Sequence, residues 1–475
     1  MDIANFIKEL TEILGPQGIL TDAKDTETYN TDWRQIFTGT SIAVLRPQTT
    51  QQVADAVKIC ARYKVAIVPQ GGNTSLVGGA IPSTNDVQVV LSLSRMNKIR
   101  NIDTLDSTIT LEAGVILEDA QNAAKEAGLY LPIVISSQGS AQIGGIIATN
   151  AGGNNTLRYG NAREFVLGLE VVTADGQILH NLRRLRKDNT GYALKQIFIG
   201  SEGTLGIITA AVLHLHPYPR STEVALCAIP DLQKALRLLH LFNSHNPAAL
   251  QAFEYISQKG MELVCSQFPE LHFPLETTAP VYIIVELALP EQGDGLRTLF
   301  ETVLGEAFEE EVVLDAVLAE SETQRQNLWR FREEQAESQK RAGANIKNDV
   351  SVPISSIPDF VERATRACES FYPGIQVTPF GHLGDGNIHF NLVQPQHEDG
   401  KLFMSKSHDI MDAVSQVVYE LEGSFSAEHG IGQLKNYMMP SWRGGVELEL
   451  MKKIKESLDP CNILNPGKIF PQDAH

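Results

Sequence analysis

The sequence predicts an α+β protein with more than one packing unit, and three observations carry that expectation. The chain has 475 residues, whereas a single core rarely grows past about 250–300. Residues 40–216 alternate short apolar strands with amphipathic helices at high glycine density. After LHPYPR (215–220) the texture changes to longer helices and strands in which crossovers and a hairpin mix. That pattern suits an α+β unit with an antiparallel or mixed sheet.

The elements follow in order. MDIANFIKELTEILG reads as an amphipathic helix ended by Gly15. It lacks the basic start and long apolar centre of a signal peptide, so a cytoplasmic protein is expected. IAVLRP is a strand, TTQQVADAVKICARY a helix with a threonine cap, and VAIVP a strand. LSLSRMNKI, TITLEAG, GLEVVTADGQIL and LGIITAAVLHL read as further strands. Beyond the prolines, IPDLQKALRLLHLFN and GLRTLFETVLGEAF are helices, and VYIIVELAL and EEVVLDA are strands. ETQRQNLWRFREEQAESQKR reads as one long helix; SSIPDFVERATRACESF and MSKSHDIMDAVSQVVYELEG are two more. From SAEHG onward the chain returns to glycine and proline turns.

Composition narrows the function classes. The hydrophobic fraction is 43% and the charged fraction 20%, as in soluble globular proteins. No run approaches the ~18 apolar residues of a membrane span. The net charge of −18 argues against nucleic acid and against anionic membrane surfaces. An anionic substrate then needs a local cluster of positive groups. The five cysteines are scattered with no CxxC, as reduced thiols would be.

Four glycine-rich stretches stand out: PQGGNTSLVGGA (69–80), QIGGIIATNAGG (142–153), GSEGTLGIIT (200–209) and ILNPGKIF (463–470). Gly71, Gly72, Gly78 and Gly79 let backbone approach a ligand closely, and Asn73, Thr74 and Ser75 add polar side chains. No GxGxxG opens a helix, so this is not the Rossmann fingerprint. Turns in a β-rich domain are one reading; a long dinucleotide-like ligand lying across several loops is the other.

In TPFGHLGDGNIHFNL (378–392), His382 and His389 flank GDGN symmetrically. With GDGN as the loop, His382 faces His389 directly, with Cβ atoms ~4.5–5.5 Å apart, and Asn391 shares their face. A metal pair and a pair of partly buried histidines are both open on this basis. SAEHGIGQLK adds Glu428 and His429; two histidines and a carboxylate with an open position suit a catalytic divalent ion, Zn²⁺ first, and leave His429 as a base. Trp329, Arg332 and Ala336 share a helix face, and Lys347 follows in NIKNDVSVP; both cations are candidates for gripping a carboxylate.

PQGGNTSLVGGA, IGGIIATNAGG, GSEGTLGIIT, GHLGDGNIHFNL, SAEHGIG and LNPGKI, in this order, resemble the motifs of the FAD-linked D-2-hydroxyacid dehydrogenases, within the vanillyl-alcohol-oxidase-type flavoproteins. The resemblance covers roughly residues 35–472. It implies an FAD-binding domain over 1–219, a substrate (cap) domain over 220–425, and a segment, 426–475, returning to the FAD domain. It implies FAD contacts at Pro69, Gly71, Gly72, Asn73, Thr74, Ser75, Gly78 and Gly79. Further contacts are implied at Gly144, Gly145, Thr149, Asn150, Gly152 and Gly153, and at Glu202, Gly203, Gly206, Ile208 and Asn465. The implied metal ligands are His382, His389 and Glu428, the base is His429, and the substrate contacts are Arg332, Lys347 and Asn391.

The activity implied is oxidation of a D-2-hydroxy acid, D-2-hydroxyglutarate or a D-malate-like acid, to the 2-oxo acid. D-Lactate dehydrogenase and glycolate-type oxidase are the alternatives on the same fold. Electron-transfer flavoprotein or a quinone is the implied acceptor, and a homodimer the implied assembly. Two departures bear on this. The first glycine loop has no histidine for covalent attachment, so FAD is expected to dissociate. Glutarate-specific relatives carry a threonine four residues after the arginine, where this chain has Ala336. An oxidase using O₂, a non-enzymatic flavin or zinc sensor, and a membrane-associated quinone reductase are rival readings; the spare His429 beside Glu428 argues against a sensor.

Overall fold

The computed structural model describes residues 2–471. Met1 and residues 472–475, where the outer limits of the first and last expected segments fall, lie outside the described residues. The chain divides into two compact units: one runs to Gly153, over Gly160–Tyr218 and from Glu428 onward, and the other holds Asn154–Tyr159 and Pro219–Ala427.

In the first unit, a four-stranded sheet has the order Ile19–Leu20, Ala43–Leu45, Gln88–Ser92, Ala66–Gln70. Its last three strands are parallel, and Val, Ile and Leu line both faces, as a sheet covered on both sides requires. Phe6 and Leu10 of helix Ile3–Leu14 and Val53 and Val57 of helix Thr50–Tyr63 join Ile67, Val89 and Leu91 in one core. Thr49 caps the second helix, its hydroxyl accepting from the Gln52 N–H at 3.2 Å.

A five-stranded antiparallel sheet follows, in the order Ile99–Asp103, Thr108–Glu112, Ile207–His214, Val166–Val172, Ile178–Asn181. Two sequence expectations change here. LSLSRMNKI is not one strand: it turns where the Met96 N–H meets the Leu93 carbonyl at 2.8 Å, and passes from one sheet to the other. GLEVVTADGQIL is a hairpin whose turn is closed by the Thr173 N–H on the Gln177 carbonyl. The C-terminal segment lies beside Ala66–Gln70, with Ile67 N–H to Ile463 O at 2.7 Å and Asn465 N–H to Ile67 O at 2.8 Å. Buried Lys455, on helix Val446–Leu458, fixes this approach. Its Nζ donates to the carbonyls of Thr204 (2.9 Å) and Leu464 (2.8 Å) and pairs with Asp459. The Asp459 carboxylate in turn accepts from Ile463 N–H and Leu464 N–H.

The second unit is built on a seven-stranded antiparallel sheet ordered Asp315–Leu318, Ser221–Ile229, Val281–Leu289, Leu250–Ser257, Phe380–His382, Asn387–His389, Asp349–Ser351. Val224, Leu226, Ile256 and Ile284 on one face pack with Met261 and Val264 of helix Gln258–Gln267 and with Leu328 and Phe331 of helix Glu322–Glu333.

The expected long helix breaks at Glu334 into Glu322–Glu333 and Gln335–Ala342, so Arg332 and Ala336 do not share one helix face. The cause is local. The Gln335 side-chain amide donates to the Phe331 carbonyl at 2.8 Å, the acceptor that the Gln335 backbone N–H would use in a continuous helix.

The hairpin register also differs from expectation. His382 pairs with Asn387, Gly381 with Ile388 and Phe380 with His389, so the loop is Leu383–Gly386 and the histidines are diagonal, not opposed. Asn387 is drawn into the ladder. Its side chain donates to Asp349 Oδ1 and the Val350 carbonyl, both at 2.9 Å, and its N–H to Asp385 Oδ1 at 3.1 Å. The slip is two residues, which preserves the face; the imidazole centroids lie 5.4 Å apart.

Two predictions follow from these buried charges. Lys455→Met leaves Asp459 buried without its cation, and urea unfolding is expected to show a loss of about 3–5 kcal/mol. Burial pushes the Asp385 carboxyl up to about 6 from its ordinary 3.8, with His382 pulling the other way. A carboxyl that binds its proton more tightly when folded adds stability fully below its unfolded value and loses that stability as pH rises through about 6. Asp385→Asn is therefore expected to raise the stability of chelator-treated protein by roughly 2 kcal/mol at about pH 7.5 and by little at about pH 3.5. An equal gain at both pH values would rule out carboxyl burial as the cause.

Candidate functional site

In the second unit the site begins with strand Leu250–Ser257, buried at every residue. Glu254 lies directly across from His382 in the register, and Asp349 directly across from His389. The four residues thus form a polar row across four neighbouring strands, each histidine with its own carboxylate. His382 Nδ1 is 2.7 Å from Glu254 Oε1, and His389 Nδ1 is 3.6 Å from Asp349 Oδ1.

Glu254 also accepts from Arg332 Nε at 2.7 Å through its second oxygen. The Arg332 guanidinium lies over the Phe380 ring, 4.6 Å from its centroid, and its Nη2 is 3.5 Å from His382 Nε2. Burial alone would raise the Glu254 carboxyl, but its pairing with His382 and Arg332 outweighs that and holds the group below its ordinary value.

Lys347 is half-buried in the short link between strands Asn345–Ile346 and Asp349–Ser351. Asn391 is not placed by strand alternation. Its N–H turns back to the His389 carbonyl at 2.9 Å, and its side-chain amide donates to Gln339 Oε1 at 2.9 Å.

The donor chemistry fits a divalent ion. At His382 the ring Nδ1–H is held by a carboxylate and Nε2 is left as an acceptor, the arrangement typical of metal-bound histidine; His389 has its carboxylate at the longer distance of 3.6 Å. Glu254 and Asp349 were missed by sequence reasoning; the one signal was a lone acid inside each of the strand segments AFEYI and NDVSV.

In the first unit, Glu428 and His429 adjoin each other, with His429 Nε2 3.7 Å from Glu428 Oε1. The turn that follows is tied to the glycine segments. Partly buried Glu202 accepts from Ile431 N–H at 2.7 Å and Gly432 N–H at 2.8 Å. Gln433 N–H meets the Val77 carbonyl at 2.9 Å. Burial pushes the Glu202 carboxyl up, against these amides and against Lys468 and Lys435. Asn465 Nδ2 donates to the carbonyls of Gly79 (2.9 Å) and Glu202 (2.7 Å), and Glu202 N–H meets the Ala148 carbonyl at 2.8 Å, so all four glycine-rich stretches meet here.

The expected cofactor residues separate by physical role. An added Cβ at Gly72 would lie 2.0 Å from the Ser140 carbonyl oxygen, at Gly153 2.0 Å from that of Val134, and at Gly144 2.7 Å from Ala113 Cβ. Gly78 meets Phe37, Gly203 meets Pro69 and Gly206 meets Val171 in the same way. These glycines allow chain to pass chain. An added Cβ at Gly145 meets nothing within 4 Å, and one at Gly71 only Gln142 and the Gly145 N at 3.5–3.6 Å. Beside them Gln142 Oε1 is buried without a partner, as is Asn465 Oδ1.

Among the polar residues, Asn73 donates to the Thr31 carbonyl and Ser75 Oγ accepts from Val77 N–H. Thr149 Oγ1 donates to the Gly145 carbonyl, and Asn150 Oδ1 accepts from Arg163 N–H. Thr74 is half-buried, Gly152 is buried, and Ile208 is a buried residue of strand Ile207–His214. Open space at Gly71 and Gly145 with orphaned acceptors beside it fits a bound polar cofactor such as FAD.

Residues 41–181 match the FAD binding domain family, and residues 218–469 match the C-terminal domain of FAD linked oxidases. D-2-Hydroxyglutarate dehydrogenase of Stutzerimonas stutzeri is 36% identical over 466 residues, covering 98% of each chain. The mitochondrial enzyme of that name from Rattus norvegicus is 37% identical over 468 residues, covering 98% of this chain and 84% of its own. A mitochondrial protein of Schizosaccharomyces pombe that carries the name D-lactate dehydrogenase is 37% identical over 479 residues, 97% of this chain and 89% of its own. Among solved structures, substrate-bound p-cresol methylhydroxylase superposes with a TM-score of 0.77 at 16% identity, covering 100% of this chain and 98% of that one. The expected two-domain flavoprotein fold is therefore present. An FAD-dependent oxidoreductase, the chain belongs to the FAD-linked D-2-hydroxyacid dehydrogenases of the vanillyl-alcohol-oxidase type.

Proposed function

We propose that the protein oxidises a D-2-hydroxy acid, D-2-hydroxyglutarate first, to the 2-oxo acid with the aid of a divalent metal. The observation that carries the metal-assisted reading is the row Glu254–His382–His389–Asp349 with Arg332 anchored to the same carboxylate. FAD, when bound, supplies a two-electron acceptor for the C2 hydride at its N5. A divalent ion, Zn²⁺ or one of similar preference, supplies Lewis-acid polarisation of the 2-hydroxyl.

The residues of the chain do the rest. His382, His389 and Glu428 would hold the ion. Arg332, with its Nε fixed by Glu254, turns its remaining donors to a substrate carboxylate, and Lys347 supplies a second cation. Asn391 contributes a polar contact. His429 accepts the hydroxyl proton at an imidazole nitrogen. The Glu202 clamp on Ile431 and Gly432 holds the His429 turn in one shape. Gly71, Gly145, Gln142 and Asn465 border the cofactor. Electron-transfer flavoprotein or a quinone takes the electrons onward; among the described residues no helix is long and apolar enough to cross a membrane.

D-Lactate is the second reading. One of the named relatives supports it, and Ala336, though off the helix face of Arg332, carries no hydroxyl.

Anaerobic titration separates these readings. D-2-Hydroxyglutarate, D-malate and D-lactate are each added to the FAD-loaded protein, with and without chelator, while the oxidised-flavin band is followed. Rapid bleaching by D-2-hydroxyglutarate that chelator abolishes is the expected result; bleaching by D-lactate alone would assign the second. His429→Ala is expected to keep FAD and to slow flavin reduction ~10²–10⁴-fold. Wild-type reduction by this variant would remove His429 from the mechanism.

A further inference from the structure

We infer that Glu254 is a positioning residue that aims two groups at once, the metal ligand His382 and the substrate-binding Arg332. The inference deepens the proposed function and rests on its assignment of those two roles. The geometry has three parts. The strand register sets Glu254 directly opposite His382, so backbone hydrogen bonds fix the pair's separation. The carboxylate is divided, with Oε1 2.7 Å from His382 Nδ1 and Oε2 2.7 Å from Arg332 Nε. The group is 1% exposed, and the guanidinium it holds is sandwiched against Phe380, so neither partner swings to solvent without breaking a buried charge pair.

One carboxylate thus sets the imidazole tautomer on one side and the guanidinium plane on the other. Carboxylates that hold a ligating histidine typically change metal affinity 10–100-fold. A carboxylate that aims a substrate cation changes KM. Glu254 is expected to do both, and the two effects separate by mass action: excess metal restores the first and leaves the second.

Glu286 provides an internal comparison. It lies near Glu254 on the neighbouring strand, and its oxygens accept from Trp329 Nε1 at 2.7 Å and from Gln251. Those partners are packing groups, so Glu286→Gln reports on loss of a partly buried carboxylate without loss of aim.

The test uses FAD-loaded protein stripped of metal, with Zn²⁺ affinity measured by equilibrium dialysis and steady-state constants taken with the D-acid that bleaches the flavin. Glu254→Gln is expected to retain FAD and to bind Zn²⁺ ~10–100-fold more weakly. At saturating Zn²⁺ its KM stays raised roughly tenfold or more while kcat largely recovers. Glu286→Gln is expected to match wild type in Zn²⁺ affinity and KM even if its melting temperature falls. If Glu254→Gln binds Zn²⁺ and substrate as wild type does, or if saturating Zn²⁺ restores both constants, the inference is overturned. His382→Ala isolates the underlying reading: Zn²⁺ binding unchanged in that variant would overturn the metal assignment itself. Should Glu254→Gln not fold, Glu254→Asp serves. Its shorter arm keeps the charge but cannot span both partners, and a wild-type Zn²⁺ affinity and KM would again overturn the inference.

Discussion

A carboxylate removed from water must be answered by positive charge or by N–H groups, and the second unit is organised around one such case. Glu254 is buried in the central strand of the sheet and would be costly there alone. Its two oxygens instead receive an imidazole from the next strand and a guanidinium from the covering helix. The sheet register, the helix that carries Arg332 and the Phe380 ring under the guanidinium are all constrained by that single group. Replacing the cluster with apolar side chains would serve stability as well or better. Its presence at this position is therefore better explained by the alignment of His382 and Arg332 than by stability.

The first unit solves a different problem, bringing four separate segments to one place. Here the charges act as staples. Glu202 binds the amides after His429, and the Lys455–Asp459 pair binds the ILNPGK segment to the turn at Thr204 in the third glycine-rich stretch. The glycines divide into those that let chain cross chain, such as Gly72 and Gly153, and those beside open space, Gly71 and Gly145. Glycine count alone cannot make that division, because both kinds occur in the same short motifs.

Much of this was legible in the sequence. Strand and helix positions follow apolar periodicity, so Thr50–Tyr63, Val281–Leu289 and Ile357–Phe371 fall where spacing places them. The face shared by His382 and His389 was also legible, because side-chain parity survives a two-residue slip; the direct opposition was not, because loop chemistry decides register. The break at Glu334 depends on one side-chain amide competing for one carbonyl, which periodicity cannot show. Strand Leu250–Ser257, buried on both faces, lacks the alternation that marks a half-exposed strand, and Glu254 stayed hidden with it.

The charge balance of the second unit bears on why a metal belongs in the proposed reaction. Arg332 and Lys347 bring two positive charges to this part of the chain; Glu254 and Asp349 bring two negative ones. With neutral imidazoles these four charges cancel, and the Asp385 carboxylate, which faces His382, Glu254 and Arg332, adds a further negative one, inside a protein whose net charge is −18. A mono- or dianionic hydroxy acid would meet no net attraction there. The carboxylates that orient the histidines and the arginine thereby offset the cations that would otherwise draw the substrate in. In the proposed reaction, a divalent ion on those histidines would restore the missing positive charge. Orientation by buried carboxylates and metal assistance are on this argument two sides of one arrangement: the first creates the electrostatic deficit that the second fills.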